Sequence, residues 1–389
     1  MNWFKKKRIY LDYASATPLL KDVEEVMKKY WSRDFHNPGA IYDEGISVRK
    51  DIEGCRTRIA RILSISSNGI VFTGSGTESD NLAILGAFSK AKETIEKPHL
   101  IISSIEHPAV MAVAREIERL GGETSICPVN EEGIISLEEL RLLLKPNTFM
   151  VSVGLANSEI GTVQPISKIG RIVRAYRKEN NSLFPYFHTD ASQASSYIDV
   201  ALEKLQVDLL TLDASKIYGP KGIGILAFRG GVKINPIIFG GGQEGGLRSG
   251  TPSPALISGL TVAFEQVTKE REKEVSRINN LREVFVKSVK ENIPEAVING
   301  SEVSYLPNIV SVSIPGTLSE FILLKLDKEG VMVSVGTACS LDERVSGSPV
   351  LRAIGKPELA ESTLRFSFGR FTTEKDINKA MEIFSKVSS

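Results

Sequence analysis

The chain has 389 residues, of which 42% are hydrophobic and 24% charged, and its 48 basic and 47 acidic residues give a formal net charge of +1. This near-neutral balance gives no indication of binding to nucleic acid or to an anionic membrane surface. The N-terminal MNWFKKKRIYLDYA has a basic cluster without a following apolar stretch, and no run approaches the ~18 apolar residues of a membrane span, so we expect neither a signal peptide nor a membrane segment.

Apolar segments that resemble strands alternate with amphipathic helical segments through the first two-thirds of the chain. Alternation of this kind predicts an α/β domain with a mainly parallel sheet and helices on both faces. Strands that are covered on both faces appear in sequence as continuous apolar runs. The predicted strands are 69–73, 99–104, 124–129, 148–154, 185–191, 208–213 and 222–228.

The sequence pattern changes after the glycine-rich segment 240–254. A long charged helix is predicted over roughly 255–292, followed by the strand-like segments NIVSVSIPG, VMVSVG and TLRFSFG and by a closing helix. This pattern predicts a smaller α+β domain. We therefore predict a large domain over 15–258 and a small domain formed by 1–14 together with 259–389.

Polar residues follow several predicted strands, at the edge where ligands bind in sheets of this kind. The segment TGSGTESDN places glycines and hydroxyls directly before a helix, whose N-terminal N–H groups suit a phosphate. An ordinary capped helix is the alternative, and the segment lacks the third glycine of a dinucleotide fingerprint. The other strand-end segments are EHP, ANSEIG, TDASQ and DASK.

Asp190 and Lys216 are the charged residues whose positions most need a partner. A carboxylate at the end of a core strand could pair with a metal, an arginine or a cationic ring nitrogen, and only four scattered histidines argue against a metal cluster. A strand-end lysine is either a salt-bridged or snorkelling residue, or a desolvated amine that can form an imine. Together with a phosphate cradle, the two residues indicate pyridoxal 5′-phosphate.

The three cysteines have unrelated spacings, which indicates neither a disulfide framework nor a zinc site. We therefore expect no metal and a cytoplasmic location. Cys55 lies in a helical pattern and Cys127 ends a strand, so both are interpreted as small buried residues. Cys339 lies in a segment rich in glycine and small polar residues, where a thiolate could become exposed.

The chain resembles the class V aminotransferase superfamily, and within it the cysteine desulfurases of the NifS/IscS type. The likeness extends from YLDYASATP (10–18) to SFGRFTT (367–373) and includes VFTGSGTESDNLAI, IEHPAV, NSEIGTVQPI, HTDASQ, SKIYGPKGIG, GGGQEGGLRSGT, GTACS and VLRAIG. The resemblance implies the fold of type I pyridoxal-phosphate-dependent transferases, with a seven-stranded, mainly parallel sheet in the large domain.

The resemblance also implies a role for individual residues around the cofactor. Lys216 would carry the cofactor as a Schiff base, Asp190 would keep its pyridine nitrogen protonated, and His107 would stack on the ring. Gln193 would bind the ring hydroxyl, and Thr251 would reach the phosphate held by a partner subunit, which implies a homodimer. The further cofactor-binding positions are Gly76, Thr77, Ser158, Asp213 and Ser215.

The activity that the resemblance implies is conversion of L-cysteine to L-alanine. Arg365, helped by Asn37, would bind the substrate carboxylate, and an arginine suits this task because its fork meets a carboxylate bidentately. Cys339 would take the sulfur as a persulfide and pass it to an acceptor protein, in an iron–sulfur cluster or thiolation pathway. The alternatives are a selenocysteine lyase, another class V lyase or aminotransferase, and a cofactor-degenerate regulatory paralogue.

The chain departs from the family pattern mainly around the cofactor. Asp213, Ala214 and Ser215 stand where Ser-Gly-His is usual, and Ser158 replaces the second asparagine of Asn-Asn-Glu. A carboxylate beside a phosphate is repelled by about 1 to 4 kcal/mol. We therefore expect Asp213 to turn away, to be protonated or to pair with a cation, and we expect weaker cofactor binding or a shifted substrate rather than loss of the reaction. Two further departures are Gln243 and Gly246, where a histidine and an arginine are common.

Overall fold

The structure is a computed structural model that describes residues 8–336 and 347–388. Its strands, in chain order, are β1 (Ile9–Tyr10), β2 (Ile70–Thr73), β3 (His99–Ser103), β4 (Glu123–Cys127), β5 (Thr148–Ser152), β6 (Tyr186–Asp190), β7 (Leu209–Asp213), β8 (Gly224–Phe228), β9 (Val297–Asn299), β10 (Ile309–Ser313), β11 (Val331–Met332), β12 (Ser334–Val335) and β13 (Thr363–Ser367). Its helices are α1 (Lys21–Ser32), α2 (Asp43–Leu63), α3 (Gly76–Ala91), α4 (Pro108–Arg119), α5 (Leu137–Leu143), α6 (Ile166–Glu179), α7 (Leu202–Leu205), α8 (Pro254–Asn292), α9 (Ser319–Lys328), α10 (Pro349–Ala353) and α11 (Glu374–Ser388).

The largest sheet of the described residues has seven strands in the order β2-β8-β7-β6-β5-β3-β4. The strands from β3 to β7 pair in parallel, whereas β8 is antiparallel to both of its neighbours. The prediction of a mainly parallel sheet is thus confirmed. Strand β8 reverses direction because only ten residues separate it from β7, too few for the helical crossover that parallel neighbours need.

Both faces of the inner strands of this sheet are covered, so that every residue of β3 and β5 is buried. Consecutive side chains of a strand point to opposite faces. Tyr186 of β6 therefore packs in one core with Leu82 of α3 and Val113 of α4, while the next residue, Phe187, packs in a second core with Val173 of α6. These two cores fix the strands, and with them the polar residues that follow each strand.

A second, four-stranded sheet in the order β12-β13-β10-β9 forms the core of the C-terminal part together with α9 and α11. The segment VMVSVG, predicted as a single strand, differs from that prediction. Met332 of β11 pairs with β1, whereas Ser334 of β12 pairs with β13. The segment divides because its two halves bond to different partners on either side of Val333.

Helix α8 connects the two parts of the molecule. Leu260 and Phe264 near its N-terminus belong to the core of the large sheet, and Phe285 and Val289 near its C-terminus belong to the core of the small sheet. Within α8, the residues change from the first core to the second between Val267 and Ile278. The predicted domain boundary at residue 258 stays a prediction. With 39 residues α8 is long but highly charged, and within the described ranges no helix combines the length and apolarity needed to cross a membrane.

Candidate active site

The carboxyl ends of the large sheet's strands border a cavity of about 420 Å³, a volume typical of small-molecule sites. Ten of the residues predicted from the sequence line it: Gly76, Thr77, His107, Ser158, Asp190, Gln193, Asp213, Ser215, Lys216 and Arg365. Asn37 and Thr251 are exposed and do not line this cavity, and Cys339 lies outside the described residues.

Lys216 occupies a single 3₁₀ turn that directly follows β7. Its Nζ donates hydrogen bonds to the carbonyl oxygens of Ala14, at 3.0 Å, and Ser15, at 2.6 Å. The side-chain amide of Gln193 donates to the same Ala14 carbonyl at 2.9 Å. The N-terminal segment thus passes through the site and holds the lysine amine and the Gln193 amide close together.

Asp190 ends β6, and its Oδ1 accepts a hydrogen bond from the Ser192 N–H at 2.9 Å. Asp80 of α3 is nearby and almost fully buried, and burial together with the charge of Asp190 raises the pKa of Asp80 well above its usual range. Burial also lowers the pKa of His188 to about 3, and its Nε2 lies 3.7 Å from Asp80 Oδ1. Burial thus favours the uncharged forms of both Asp80 and His188 behind this wall.

His107 is the N-cap of α4. Its Nδ1 accepts a hydrogen bond from the Ala109 N–H at 3.2 Å, so the neutral ring carries its proton on Nε2. The preceding residue, Glu106, accepts hydrogen bonds from the Ser103 hydroxyl and the Gly154 N–H and so joins the ends of β3 and β5. Burial raises the pKa of Glu106 to about 7. Sequence reasoning did not single out Glu106, although an acid directly after a predicted strand was a usable signal.

Asp213 is bound to backbone N–H groups rather than to a cation. Its Oδ2 accepts from the Gly76 N–H, the first residue of α3, at 2.9 Å, and its Oδ1 accepts from the Ser215 N–H at 2.8 Å. The Ser75 hydroxyl caps the same helix by accepting from the Glu78 N–H. Asp213 lines the cavity and so does not turn away from it, and its partners among the described residues are N–H groups instead of the expected cation. A short carboxylate that ends a strand caps the turn after it, as aspartates often do.

Arg365 lies in the middle of β13, and its side chain is buried beside the cavity. One terminal nitrogen donates to Asp12 Oδ1 at 2.8 Å and to the Ser15 hydroxyl at 2.7 Å, and the other donates to the Ser158 carbonyl at 3.0 Å. Its Nε has no hydrogen-bond partner among the residues that the structure describes. The Asp12 partner was not predicted, because it lies 353 positions away in the sequence.

Glu159 is buried beside Gly336, which is the last described residue before position 337. A Cβ added to Gly336 would lie 2.2 Å from the carboxyl carbon of Glu159, so a side chain at position 336 would require Glu159 to move. Burial raises the pKa of Glu159 to about 7. Gly336 and Gly347 both line the cavity, so the two ends of the segment that contains Cys339 border it.

The other two cysteines are both buried, in agreement with their interpretation as small core residues. Cys55 lies in the core between α2 and α8, with its Sγ 3.8 Å from the Ser258 hydroxyl. Burial raises the pKa of the Cys127 thiol to about 12. Neither cysteine lines the cavity.

Five buried polar atoms that belong to residues of the cavity wall have no hydrogen-bond partner in the described part of the chain: Asp80 Oδ1, Ser104 Oγ, Glu159 Oε1, Ser192 Oγ and Arg365 Nε. Buried polar atoms are normally satisfied, so a cluster of exceptions around one cavity indicates a polar ligand. The wall offers a lysine amine, a carboxylate and a helix N-terminus, which suit the aldehyde, the ring nitrogen and the phosphate of a phosphorylated pyridine aldehyde. The residues present thus fit pyridoxal 5′-phosphate.

The comparisons with known proteins agree with this architecture. Residues 9–380 match the family model "Aminotransferase class-V". The chain is 41% identical to a protein named cysteine desulfurase IscS from Dictyoglomus turgidum, over 98% of this chain and 95% of that protein, and 38% identical to cysteine desulfurase IscS 1 from Archaeoglobus fulgidus, over 97% and 96%.

Two solved structures extend the likeness to three dimensions. A NifS-like protein superimposes with a TM-score of 0.90 at 32% identity and covers 98% of this chain and 99% of its own. A structure described as SspA in complex with cysteine superimposes with a TM-score of 0.78 at 33% identity, over 94% of this chain and all of that one.

The fold is therefore that of type I pyridoxal-phosphate-dependent enzymes, as the sequence predicted. Within this class, the chain belongs to the class-V aminotransferase family, whose members depend on pyridoxal 5′-phosphate.

Proposed function

We propose that the protein is a cysteine desulfurase that uses pyridoxal 5′-phosphate to convert L-cysteine to L-alanine and transfers the sulfur to Cys339 as a persulfide. The observation that carries this proposal is the convergence of Lys216, Asp190 and Arg365 on one cavity. Relatives named cysteine desulfurase match the chain over nearly its full length, and a solved relative is described as a complex with cysteine.

We assign to Lys216 the covalent bond to the cofactor aldehyde and to Asp190 the contact with the ring nitrogen. The two carbonyl groups that now accept from Nζ keep the amine directed along the cavity wall. When bound, the cofactor supplies an electron sink for the electrons released at the substrate Cα. Lys216 is the base that we assign to removal of the substrate Cα proton, and the Nε2–H of His107 is available as a hydrogen-bond donor.

We assign binding of the substrate carboxylate to Arg365. Its guanidinium is oriented by Asp12, Ser15 and Ser158, so little side-chain freedom is lost when a carboxylate binds. The Nε–H, which has no partner within the described ranges, is a donor that a substrate carboxylate can satisfy. Asn37 lies outside the cavity of this chain, so its proposed help to Arg365 requires a partner subunit or a movement of its loop.

Cys339 is the proposed sulfur acceptor within the chain. In the sequence it is three residues from Gly336, which lines the cavity. The cysteine thiolate attacks the substrate sulfur, the substrate C–S bond breaks, and the electron pair that remains on the carbon is protonated to give alanine. The persulfide sulfur then passes to an acceptor protein, which regenerates the Cys339 thiol.

We further propose a homodimer in which Thr251 reaches the partner's cavity. Thr251 is exposed and lies outside the cavity of its own chain, although the sequence pattern assigns it to a cofactor phosphate. The same two parts of the chain carry exposed apolar side chains, namely Ile41, four residues after Asn37, and Phe239, twelve residues before Thr251. A self-complementary interface would cover these side chains and complete both sites.

The cytoplasm is the compartment that we propose on the sequence grounds given above. One relative is named a mitosomal cysteine desulfurase. Fractionation of cells that express the full chain tests the compartment.

The direct test of the activity is to incubate the full-length protein with pyridoxal 5′-phosphate and L-cysteine under reducing conditions and to measure sulfide and alanine. We expect the two products in equal yield. Cys339→Ser should abolish both, whereas a lyase that does not use this thiol would remain active. L-selenocysteine as a second substrate distinguishes a selenocysteine lyase, for which it would be strongly preferred.

A further inference from the structure

We propose that Asp213 acts as an internal anion that competes with the cofactor phosphate for the N-terminus of α3. The protein therefore prefers pyridoxal 5′-phosphate over pyridoxal less strongly than it would without this carboxylate. The inference rests on the proposed use of pyridoxal 5′-phosphate. Asp213 is thereby a specificity-determining residue for the cofactor.

The N-terminus of α3 is already bound by a carboxylate. Asp213 Oδ2 accepts from the Gly76 N–H at 2.9 Å, and the Asp213 side chain is close enough that a Cβ on Gly76 would lie 3.2 Å from its Cβ. Gly76, Thr77 and Asp213 all line the cavity. The group that should bind a phosphate oxygen therefore donates to a side chain of the same protein.

A phosphate that enters the site meets this carboxylate both as a competitor and as a like charge. The helix N-terminus attracts one anion through its N–H groups and its dipole, and a second anion a few ångströms away reduces that attraction. To admit the phosphate, Asp213 must release the Gly76 N–H, and the Ser215 N–H that it also binds must find another partner. The ring and aldehyde of the cofactor do not meet this obstacle.

Ser192 provides a second, independent observation at the same place. Its side-chain oxygen is buried, the residue is only 8% exposed, and the oxygen has no hydrogen-bond partner among the described residues. It would lie 3.3 Å from a Cβ on Gly76, so it borders the same helix N-terminus. A phosphate oxygen beside Gly76 would give this hydroxyl a partner, so the cradle contains one group that favours the phosphate and one that opposes it.

The test compares two ligands that differ only in the phosphate. Full-length protein freed of cofactor is titrated with pyridoxal 5′-phosphate and with pyridoxal, and binding is measured by equilibrium dialysis. The measured quantity is the ratio of the two dissociation constants. We expect Asp213→Ser to increase the preference for the phosphorylated form about tenfold or more, with little change in the affinity for pyridoxal.

Two further variants distinguish the effect of the Asp213 charge from the effect of its hydrogen bond to the Gly76 N–H. Asp213→Asn removes the charge but keeps one oxygen, which can accept from either the Gly76 or the Ser215 N–H, so we expect it to recover a large part of the gain. Ser192→Ala should lower the preference for the phosphorylated form severalfold, because one hydrogen bond to a charged group is lost. Both variants should leave the affinity for pyridoxal nearly unchanged.

Asp199→Ser is the matched control. Asp199 also caps a backbone N–H, that of Ala201 at 3.1 Å, but it pairs with Lys204 at the surface and does not line the cavity. This variant should leave the ratio unchanged. An unchanged ratio in both Asp213 variants, with circular dichroism and thermal unfolding like those of the unaltered protein, would overturn the proposal.

The outcome is distinguishable from a failure of the proposed activity. If the Asp213 variants shift the ratio but L-cysteine yields no sulfide, the inference about the cradle stands and the desulfurase assignment fails. If L-cysteine yields sulfide and alanine but the ratio does not move, only the inference fails. A loss of structure in Asp213→Ser would leave Asp213→Asn, which keeps the size of the side chain and one of the two hydrogen bonds, to decide the question.

Discussion

At the scale of single residues, Arg365 shows how the site combines a charge with a fixed orientation. Its guanidinium makes three hydrogen bonds to groups from the N-terminal segment and from the loop after β5, and it lies in β13, where strand pairing fixes its backbone. A carboxylate that binds there meets a fork that is already oriented. A lysine offers a point charge on a flexible stem instead.

We therefore predict that Arg365→Lys raises the KM for L-cysteine tenfold or more and lowers kcat less, because substrate binding depends on the fork and the later steps do not. Initial rates of alanine formation over a range of L-cysteine concentrations measure both constants. Arg370→Lys is the matched control, since Arg370 lies in the same SFGRFTT motif, pairs with Glu270 and does not line the cavity. Equal KM values for the two variants would contradict the assignment.

At the scale of elements, Glu159 ties the loop after β5 to the end of β12. It is 4% exposed, and Gly336 leaves just enough space for its carboxyl group. Burial raises its pKa from 4.5 to about 7. The folded chain thus binds this proton more tightly than the unfolded chain does.

The sign of the pH dependence follows from this difference. The contribution of Glu159 to stability is fully present below pH 4.5, where both states are protonated, and is lost as the pH rises through about 7. Glu159→Gln removes the loss, because the amide never ionises. We predict that the variant has a higher free energy of unfolding than the unaltered protein at pH 8, by up to about 3 kcal/mol, and a similar one at pH 4.5.

Urea unfolding at the two pH values measures this effect. Glu302→Gln, which removes a charge from an exposed side chain, is the control and should show no such dependence. A Glu159→Gln variant less stable than the unaltered protein at pH 8 would mean that the carboxylate form is the one that the fold stabilises.

The elements also show how far the sequence determines the structure. The strands of the large sheet were predictable because both faces are covered, so that β5, for example, is a continuous apolar run. The ion pair of Arg365 with Asp12 was not predictable, because it joins residues at opposite ends of the chain. Strands β11 and β12 were missed as separate elements, since the alternation of VMVSVG is the same whether its two halves share one partner or have two.

The site was predictable to the extent that its residues follow strands. Asp190 and Lys216 could be recognised because a charged residue directly after a core strand needs a partner. The contacts of Asp213 could not, because the sequence does not show which backbone N–H groups lie within reach of its carboxylate. Glu106 had a usable signal, since it follows a predicted strand, but the burial that raises the pKa values of Glu106 and Glu159 arises only in the folded chain.

At the scale of the whole molecule, the proposed dimer makes each active site depend on two chains. Thr251 from one chain and Lys216 from the other would act on the same cofactor. If so, a damaged Thr251 in one chain and a damaged Lys216 in the other leave one of the two sites complete. If both residues are damaged in the same chain, a dimer with shared sites has no complete site. A dimer with separate sites would keep the complete site of the undamaged chain.

We predict that a mixed dimer of Thr251→Ala and Lys216→Ala chains regains activity. Random pairing of the two chains should give about a quarter of the activity of the unaltered protein, because half of the dimers are mixed and each has one complete site. The assay is run at a cofactor concentration too low to saturate Thr251→Ala alone. Activity no higher than the mean of the two separate variants would exclude a shared site.

The central claim is that the Lys216 amine holds the cofactor aldehyde. The most direct measurement is to reduce the cofactor-loaded protein with borohydride, digest it and find by mass spectrometry which peptide carries the cofactor. Lys221 is the internal control, since its Nζ also donates to a backbone carbonyl, that of Thr17, but it does not line the cavity. We predict that the label is found on Lys216 and is lost in Lys216→Ala. A label on any other lysine, or none on a protein that produces alanine, would contradict the account.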